Sequence, residues 1–245
     1  MTSTPDPVIA IRRNLELAPL AKAFAAAGRV QIPDFLTPSA SEALHQALAR
    51  RTPWVKSLLV EGRNVSASPE QLRRMPPDDL RRLNAMRASE ARGGFQFAFD
   101  TWPVSDHVEA GGRSGHPAES FYDLINAPPF FDIIARLTGN DRGVYCDAQC
   151  TRYGPGDFLN THSDNAEGKH RLFAYVMSLT PEWRTDWGGL LMFTDSEGEV
   201  EEVYRPAFNT LNIFAVPHPH LVTMVAPFAG AARLSITGWI RARRP

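Results

Sequence analysis

The sequence predicts a mainly β protein in which helices support a sheet, and three observations carry that expectation. From Val144 onward, short strand-like runs recur at 144–152, 172–178, 189–194, 199–204, 209–216, 220–225 and 233–240. Runs at this spacing, separated by turn formers such as Asp195-Ser196-Glu197-Gly198, favour a sandwich or a closed antiparallel barrel. The first 140 residues instead carry mainly helical apolar stripes. No internal repeat or linker divides the 245 residues, so one domain, 1–245, with helices packed on a sheet is the economical architecture.

The elements follow in order. Pro19 opens a helix with Leu20, Ala23, Phe24 and Ala27 on one stripe, and Gly28 ends it. A short strand, Val30-Gln31-Ile32, comes next. Thr37-Pro38 supplies an N-cap and a proline at the first helical position for a stripe through Leu44, Ala47 and Leu48. Pro76-Pro77 starts a helix reaching about Ala91, with Leu80, Leu83 and Met86 on its apolar side. Another begins near Ser120, is interrupted by Pro128-Pro129, resumes through Phe130, Ile133, Ile134 and Leu137, and closes at Gly139-Asn140. Between Asp100 and Pro117 the chain is rich in Gly, His, Ser and Asp, which reads as a long ordered loop or lid.

Composition narrows the function classes. Apolar residues make up 43% and charged residues 22%, and the formal net charge is -1, which argues against backbone-driven nucleic-acid binding. The segment Arg50–Arg92 still holds ten basic and five acidic residues, either a solvated face or a rim for an acidic or phosphorylated partner. No apolar run is long enough to span a membrane, and Met1-Thr2-Ser3-Thr4-Pro5-Asp6 lacks the basic and apolar regions of a secretory signal. Cys146 and Cys150 read as small core residues of a reducing, cytoplasmic compartment, because four residues of strand separate them by about 13 Å. The five carboxylates of Asp195–Glu202 lack calcium-loop spacing and read as a solvated turn.

The chemistry-bearing residues come in two groups. In Tyr153-Gly154-Pro155-Gly156-Asp157-Phe158-Leu159-Asn160-Thr161-His162-Ser163-Asp164, extended backbone puts His162 and Asp164 on one face, where they offer an imidazole and a carboxylate to one ion. A second histidine from elsewhere would complete two His and one carboxylate, leaving open positions for a cosubstrate and O₂. His218 and His220 both qualify for that role. Further on, Arg233 and Ser235 share one face of the last strand, a fork and a hydroxyl suited to a buried carboxylate. An internal Asp or Glu partner is the alternative, since a buried unpaired guanidinium costs several kcal/mol. Phe95-Gln96-Phe97-Ala98-Phe99 alternates as a half-buried strand does, or, with Trp54 and Trp102, lines a groove.

With these residues in view, the carboxy-terminal half resembles the Fe(II)/2-oxoglutarate-dependent dioxygenases, in particular the prolyl 4-hydroxylase-like group and its members acting on ribosomal-protein prolines. The resemblance runs from 144 to 240. It rests on His162-x-Asp164, His220-x-Val222, Arg233-x-Ser235, Tyr153-x-x-Gly156-Asp157-Phe158-Leu159 and Gly188-Gly189-Leu190-Leu191-x-Phe193, with a weaker pattern at Gly28-x-Val30-x-Ile32-x-x-Phe35-Leu36. It implies a double-stranded β-helix, the cupin-like jelly roll, with the metal-bearing core in 141–245 and helical support and a substrate side in 1–140. It selects His220 over His218 and implies that His162, Asp164 and His220 ligate Fe(2+). Arg233, Ser235 and Tyr153 would hold 2-oxoglutarate, with ascorbate as a supporting reductant, and no further catalytic residue is required. Arg171 and Trp239 are candidates for substrate contact. The implied reaction consumes O₂ and 2-oxoglutarate and hydroxylates a prolyl residue in a protein or peptide, releasing succinate and CO₂. A hydroxylase of a free amino acid or small metabolite, a non-catalytic cupin-like metal-binding protein and a nucleic-acid oxygenase remain the alternatives.

Overall fold

The computed structural model describes residues 8–244, so the reading of Met1–Asp6 lies outside the described residues. The amino-terminal region contains α1 (Leu17–Ala27), β1 (Arg29–Ile32), α2 (Pro38–Arg50), β2 (Val55–Val60), β3 (Arg63–Ala67), α3 (Pro69–Arg74), α4 (Pro77–Gly93), β4 (Phe97–Pro103), α5 (Val104–Glu109), α6 (Pro117–Ile125) and α7 (Pro128–Thr138). The remainder supplies β5 (Tyr145–Cys146), β6 (Gln149–Tyr153), β7 (Phe158–His162), β8 (Arg171–Ser178), β9 (Leu191–Thr194), β10 (Val200–Tyr204), β11 (Thr210–Ala215), β12 (His220–Val222) and β13 (Arg233–Arg241).

Strand pairing defines the architecture. One sheet runs β1-β11-β8-β13-β6-β4, with β2 and β3 added beyond β4, and the other runs β7-β12-β9-β10. From β6 to β13 the chain crosses between these two sheets, which is the winding of a jelly roll. β4 spans both: Asp100–Pro103 pairs with β6, and Phe97-Ala98 pairs with β7. The fold is therefore a curled, mostly antiparallel sheet with seven α-helices among the described residues, the jelly roll that the resemblance implies.

Helices cover the outer face of the longer sheet. Phe24, Leu44, Phe121, Phe130 and Ile134 bury against Phe173, Tyr175, Ile213 and Ile236. Complete burial of a side chain such as Phe121 contributes about 2–3 kcal/mol. Gly28, at φ 67°, closes α1 in the left-handed region and turns the chain directly into β1. Cys146 and Cys150 are both buried and unbridged.

Three expectations need correction. The first 140 residues are not simply helical, because β1 pairs with β11 while β2, β3 and β4 widen the sheet. The β2–β3 hairpin escaped detection because β3 is nearly all exposed and lacks the apolar alternation of a half-buried strand. The Asp100–Pro117 region is not a long loop or lid. Asp100–Pro103 belongs to β4, Val104–Glu109 forms α5, and the turn that follows is fixed by Glu119. Finally, Pro117 and Pro128 each open a separate helix, so Pro128-Pro129 starts α7 and does not interrupt a longer helix.

Glu119 generates a test of that ordered turn. Its buried carboxylate accepts hydrogen bonds from the Ser114 and Gly115 N–H groups and the Ser114 hydroxyl, and it lies 3.3 Å from His107. Burial favours the neutral acid, but these donors and His107 outweigh it and hold the pKa below the usual 4.5. A depressed folded-state value means that the stabilisation is complete above pH 4.5 and is lost as pH falls through the folded value. Glu119→Gln should cost about 1–3 kcal/mol at pH 7 and flatten the acid limb of stability, read by urea unfolding between pH 7 and 3. Parallel acid limbs in the two proteins would contradict this role.

Candidate metal centre and anion pocket

His162 ends β7 and His220 begins β12, and the two residues face each other directly in the antiparallel register. Their rings lie 4.1 Å apart between centroids. Asp164 follows two residues after His162 in a left-handed conformation, φ 59°, which Asp tolerates better than most residues. Its Oδ1 is 3.4 Å from His162 Nε2, and its Oδ2 is 3.5 Å from His220 Nε2. One ligand atom from each side chain lies within 4.8 Å of the others, close enough to share an ion.

The backbone sets the tautomer of both histidines. His162 Nδ1 lies 3.0 Å from the Asn160 carbonyl, and His220 Nδ1 lies 2.9 Å from the His218 carbonyl. A carbonyl only accepts, so each Nδ1 carries a proton, and Nε2 is the ring nitrogen that each histidine turns toward Asp164. Burial, reinforced by neighbouring His162, lowers the His220 pKa to about 4, which keeps its Nε2 unprotonated near neutrality. Burial opposes ionisation of Asp164, yet the neighbouring His162 and His220 hold its pKa below normal. Two imidazole nitrogens and one carboxylate fit a divalent transition metal while leaving coordination positions open. His218 points elsewhere: its Nε2 meets Glu201 at 3.2 Å and Arg29 at 3.0 Å.

The cluster lies in the wall of a cavity of about 890 Å³ that also contains Tyr153, Arg171, Arg233 and Trp239. That volume falls in the range of small-molecule sites. Arg233 is 3% exposed, and its Nε has no hydrogen-bond partner. Among the described residues no carboxylate pairs with it; its guanidinium lies 5.2 Å from the centre of the Tyr153 ring. Burial lowers its pKa for want of such a partner. The internal partner that the sequence left open is therefore absent among the described residues, and the cavity has an uncompensated cation in its wall.

The other candidates fall into different positions. Tyr153 stacks on Phe99 at 5.0 Å and faces the cavity. Ser235 does not line it; its hydroxyl is engaged with Thr151 Oγ1 at 2.8 Å. Thr151 itself does line the cavity, two residues before Tyr153 on the same strand face, a spacing that could have identified it. Arg171 donates to the Asp164 carbonyl at 2.9 Å, and its guanidinium lies 3.5 Å from the centre of the Trp239 ring. It thereby holds the backbone of the carboxylate while remaining in the cavity wall. Phe97 and Phe99 form part of that wall as well as packing with Tyr153 and Val222. The Gly188-Gly189 pair has a steric reason: a Cβ on Gly188 would lie 2.1 Å from the Met224 carbonyl oxygen.

Fold and site together define a jelly-roll protein with a two-histidine, one-aspartate cluster beside a buried cation. Residues 148–241 match the sequence model described as the 2OG-Fe(II) oxygenase superfamily. The prolyl 3-hydroxylase OGFOD1 of Xenopus laevis is 36% identical over 113 residues, a match spanning 43% of this chain and 22% of that protein. A Pseudomonas putida prolyl-4-hydroxylase aligns with a TM-score of 0.57 and 19% identity, covering 93% of this chain and 99% of that one. A Trichoplax adhaerens prolyl hydroxylase, solved with a hypoxia inducible factor oxygen degradation domain peptide fragment, aligns at 0.57 and 21% identity, covering 91% and 87%. The chain thus resembles prolyl hydroxylases of this superfamily, by sequence over 43% of its length and by fold throughout most of it. The sequence match spans about a fifth of the length of the OGFOD1 relative.

The unpaired guanidinium makes a stability prediction that needs no ligand. Arg233→Met replaces a buried, unpartnered charge with an apolar chain of similar length, so the ligand-free protein should gain about 1–3 kcal/mol. Denaturant unfolding measures this, and a destabilised variant would show that Arg233 is already compensated.

Proposed function

We propose that this chain is an Fe(II)/2-oxoglutarate-dependent dioxygenase that hydroxylates a prolyl residue in a protein or peptide, with release of succinate and CO₂. The observation that carries the reading is Arg233, a buried cation without a protein partner, in the same cavity as His162, Asp164 and His220. That combination calls for two ligands at once, a divalent metal and an organic anion. When bound, Fe(II) with 2-oxoglutarate would supply the O₂-activating chemistry.

The protein's part is positional. With Nδ1 held on a backbone carbonyl, His162 and His220 would offer Nε2 to the metal, and Asp164 would supply the anionic ligand. Arg233 would receive the distal carboxylate of 2-oxoglutarate, and the Tyr153 hydroxyl would donate to the same carboxylate. Ser235 would act one step back, by orienting Thr151. Arg171 and Trp239 would face substrate while holding Asp164 in place. The aromatic wall of Phe97, Phe99 and Tyr153 would limit water near the reacting centre. The similarity to prolyl hydroxylases, one of them solved with a peptide, supports a polypeptide substrate over a free amino acid or metabolite. Among the described residues no helix is long and apolar enough to cross a membrane, and two buried free cysteines support a reducing, cytoplasmic setting.

The reading is tested with purified protein, Fe(II), 2-oxoglutarate and ascorbate. Proline-containing peptides should stimulate succinate formation and gain 16 Da by mass spectrometry, an oxygen atom, whereas free amino acids should do neither. Chelating the metal should abolish the product. His162→Ala should lower metal affinity by at least about hundredfold, while His218→Ala should leave it within about twofold. Arg233→Met should raise the 2-oxoglutarate KM by about two orders of magnitude, equivalent to losing a buried charge-assisted pair. Metal binding without succinate formation under every condition would favour the cupin-like binding protein instead.

A further inference from the structure

The β2–β3 hairpin has a backbone edge without a partner, and that edge belongs to residues that line the cavity. Glu61 and Gly62, at φ 50° and 72°, form the two-residue turn that joins the strands. In such a hairpin the residues flanking the turn exchange both backbone hydrogen bonds, and bonded and non-bonded pairs then alternate. The register opposes Val60 with Arg63, Leu59 with Asn64, Leu58 with Val65 and Ser57 with Ser66. Arg63 and Val65 therefore bond inward to β2, whereas the N–H and C=O groups of Asn64 and Ser66 point outward. Among the described residues β3 pairs with β2 alone, and no backbone hydrogen bond outside the hairpin reaches Asn64 or Ser66. The side chains of Asn64 and Ser66 line the cavity that holds the histidine–aspartate cluster. Folded proteins usually blunt such an edge with proline or a bulge. β3 has neither: its five residues run in unbroken register.

We propose that an extended stretch of polypeptide substrate adds to β3 as a parallel strand and directs every second side chain into the cavity. This deepens the oxygenase reading and rests on it. Strand orientation follows from proline chemistry. In antiparallel addition, the substrate residue opposite Asn64 must donate its own N–H to the Asn64 carbonyl, and proline has none. In parallel addition, the Asn64 N–H and C=O reach the residues before and after the opposite one, whose own nitrogen is turned away. A proline opposite Asn64 then lies on the cavity face with the ladder intact. Main-chain bonds of this kind supply affinity that is largely independent of sequence, while the cavity selects the side chain. The cavity, at about 890 Å³, exceeds what a metal ion and a five-carbon diacid occupy and leaves room for that side chain.

The test leaves the protein unaltered and varies the peptide. Fluorescent peptides with one central proline are screened by anisotropy against protein loaded with Co(II) and 2-oxoglutarate, without O₂. The tightest binder is then N-methylated at one position at a time. Parallel addition predicts a loss of about tenfold at residues an odd number of places from the proline and little change at even ones. Losses without that two-residue alternation overturn the proposal, as does an array in which nothing binds while Co(II) and 2-oxoglutarate still do. A protein that binds neither Co(II) nor 2-oxoglutarate overturns the oxygenase reading itself. Sedimentation covers the rival occupant: a dimer dispersed by Ser66→Pro, together with a flat methylation scan, would assign the edge to a second copy of this chain.

Discussion

The pairing of β7 with β12 is the constraint on which the site depends. It sets His162 directly opposite His220, so two residues far apart in sequence meet through backbone hydrogen bonds before any ligand is present. Side chains alternate along a strand, so a slip of one residue in this register would turn one imidazole to the other face of the sheet. Several features hold the register. β12 is pinned on its other side by β9, where His220 faces Phe193. The close packing of Gly188 against Met224 fixes the approach of that neighbouring strand. A ladder irregularity between His220 and Val222 confines the break in regular pairing to positions just beyond the histidine.

Backbone carbonyls then do for ring orientation what pairing does for position. Each histidine is tied to the carbonyl two residues before it, a contact available because the chain is extended there. Asp164 cannot be fixed the same way, since it has already left the strand in a left-handed conformation. Arg171 takes over by bonding its carbonyl, and Trp239 keeps the Arg171 side chain flat against β13. Asp147 ties this region back into the fold, accepting from the Trp239 N–H at 2.6 Å and pairing with Arg241. The carboxylate thus has its support in strands β8 and β13, not in the loop that carries it.

These relations explain what could be read from the sequence. His162-x-Asp164 was legible because two metal-ligating residue types one residue apart stay close whatever the backbone does, although Asp164 reaches the cluster from a left-handed turn and not from the extended face that the spacing suggested. Arg233 was legible because an Arg in an apolar strand requires an explanation. Choosing His220 over His218 required resemblance, since spacing alone permits both; the structure separates them through Glu201, a residue on another strand. Ser235 read as a cavity group because it shares a face with Arg233, but its hydroxyl is taken up by Thr151 directly opposite on β6, and Thr151 lines the cavity where Ser235 does not, a cross-strand fact invisible in one strand's pattern. The β2–β3 hairpin was hidden because its exposed strand has no apolar period, and Asp100–Pro117 looked like a loop because Asp100–Pro103 is ordered by pairing with β6 and the turn at Ser114-Gly115 by the buried carboxylate of Glu119. In both places the determinant is tertiary.

Arg233 shows why a protein keeps an unfavourable residue. Asp164 lies in the wall of the same cavity, but its oxygens face the two histidines, and a divalent ion there would engage its charge. A second internal carboxylate beside Arg233 would relieve the buried cation and at the same time close the cavity to an exogenous anion. Leaving the guanidinium unpaired reverses that choice: the ligand-free fold carries the desolvation penalty, and on the proposed function an incoming carboxylate would gain both the Coulomb attraction and the relief of that penalty. The same logic bears on order of events. With Arg233 uncompensated and Asp164 committed to a metal, an anion entering the cavity meets a site that is positive overall. Binding of metal and of organic anion should therefore favour each other, a coupling that follows from charge placement without any movement of the fold.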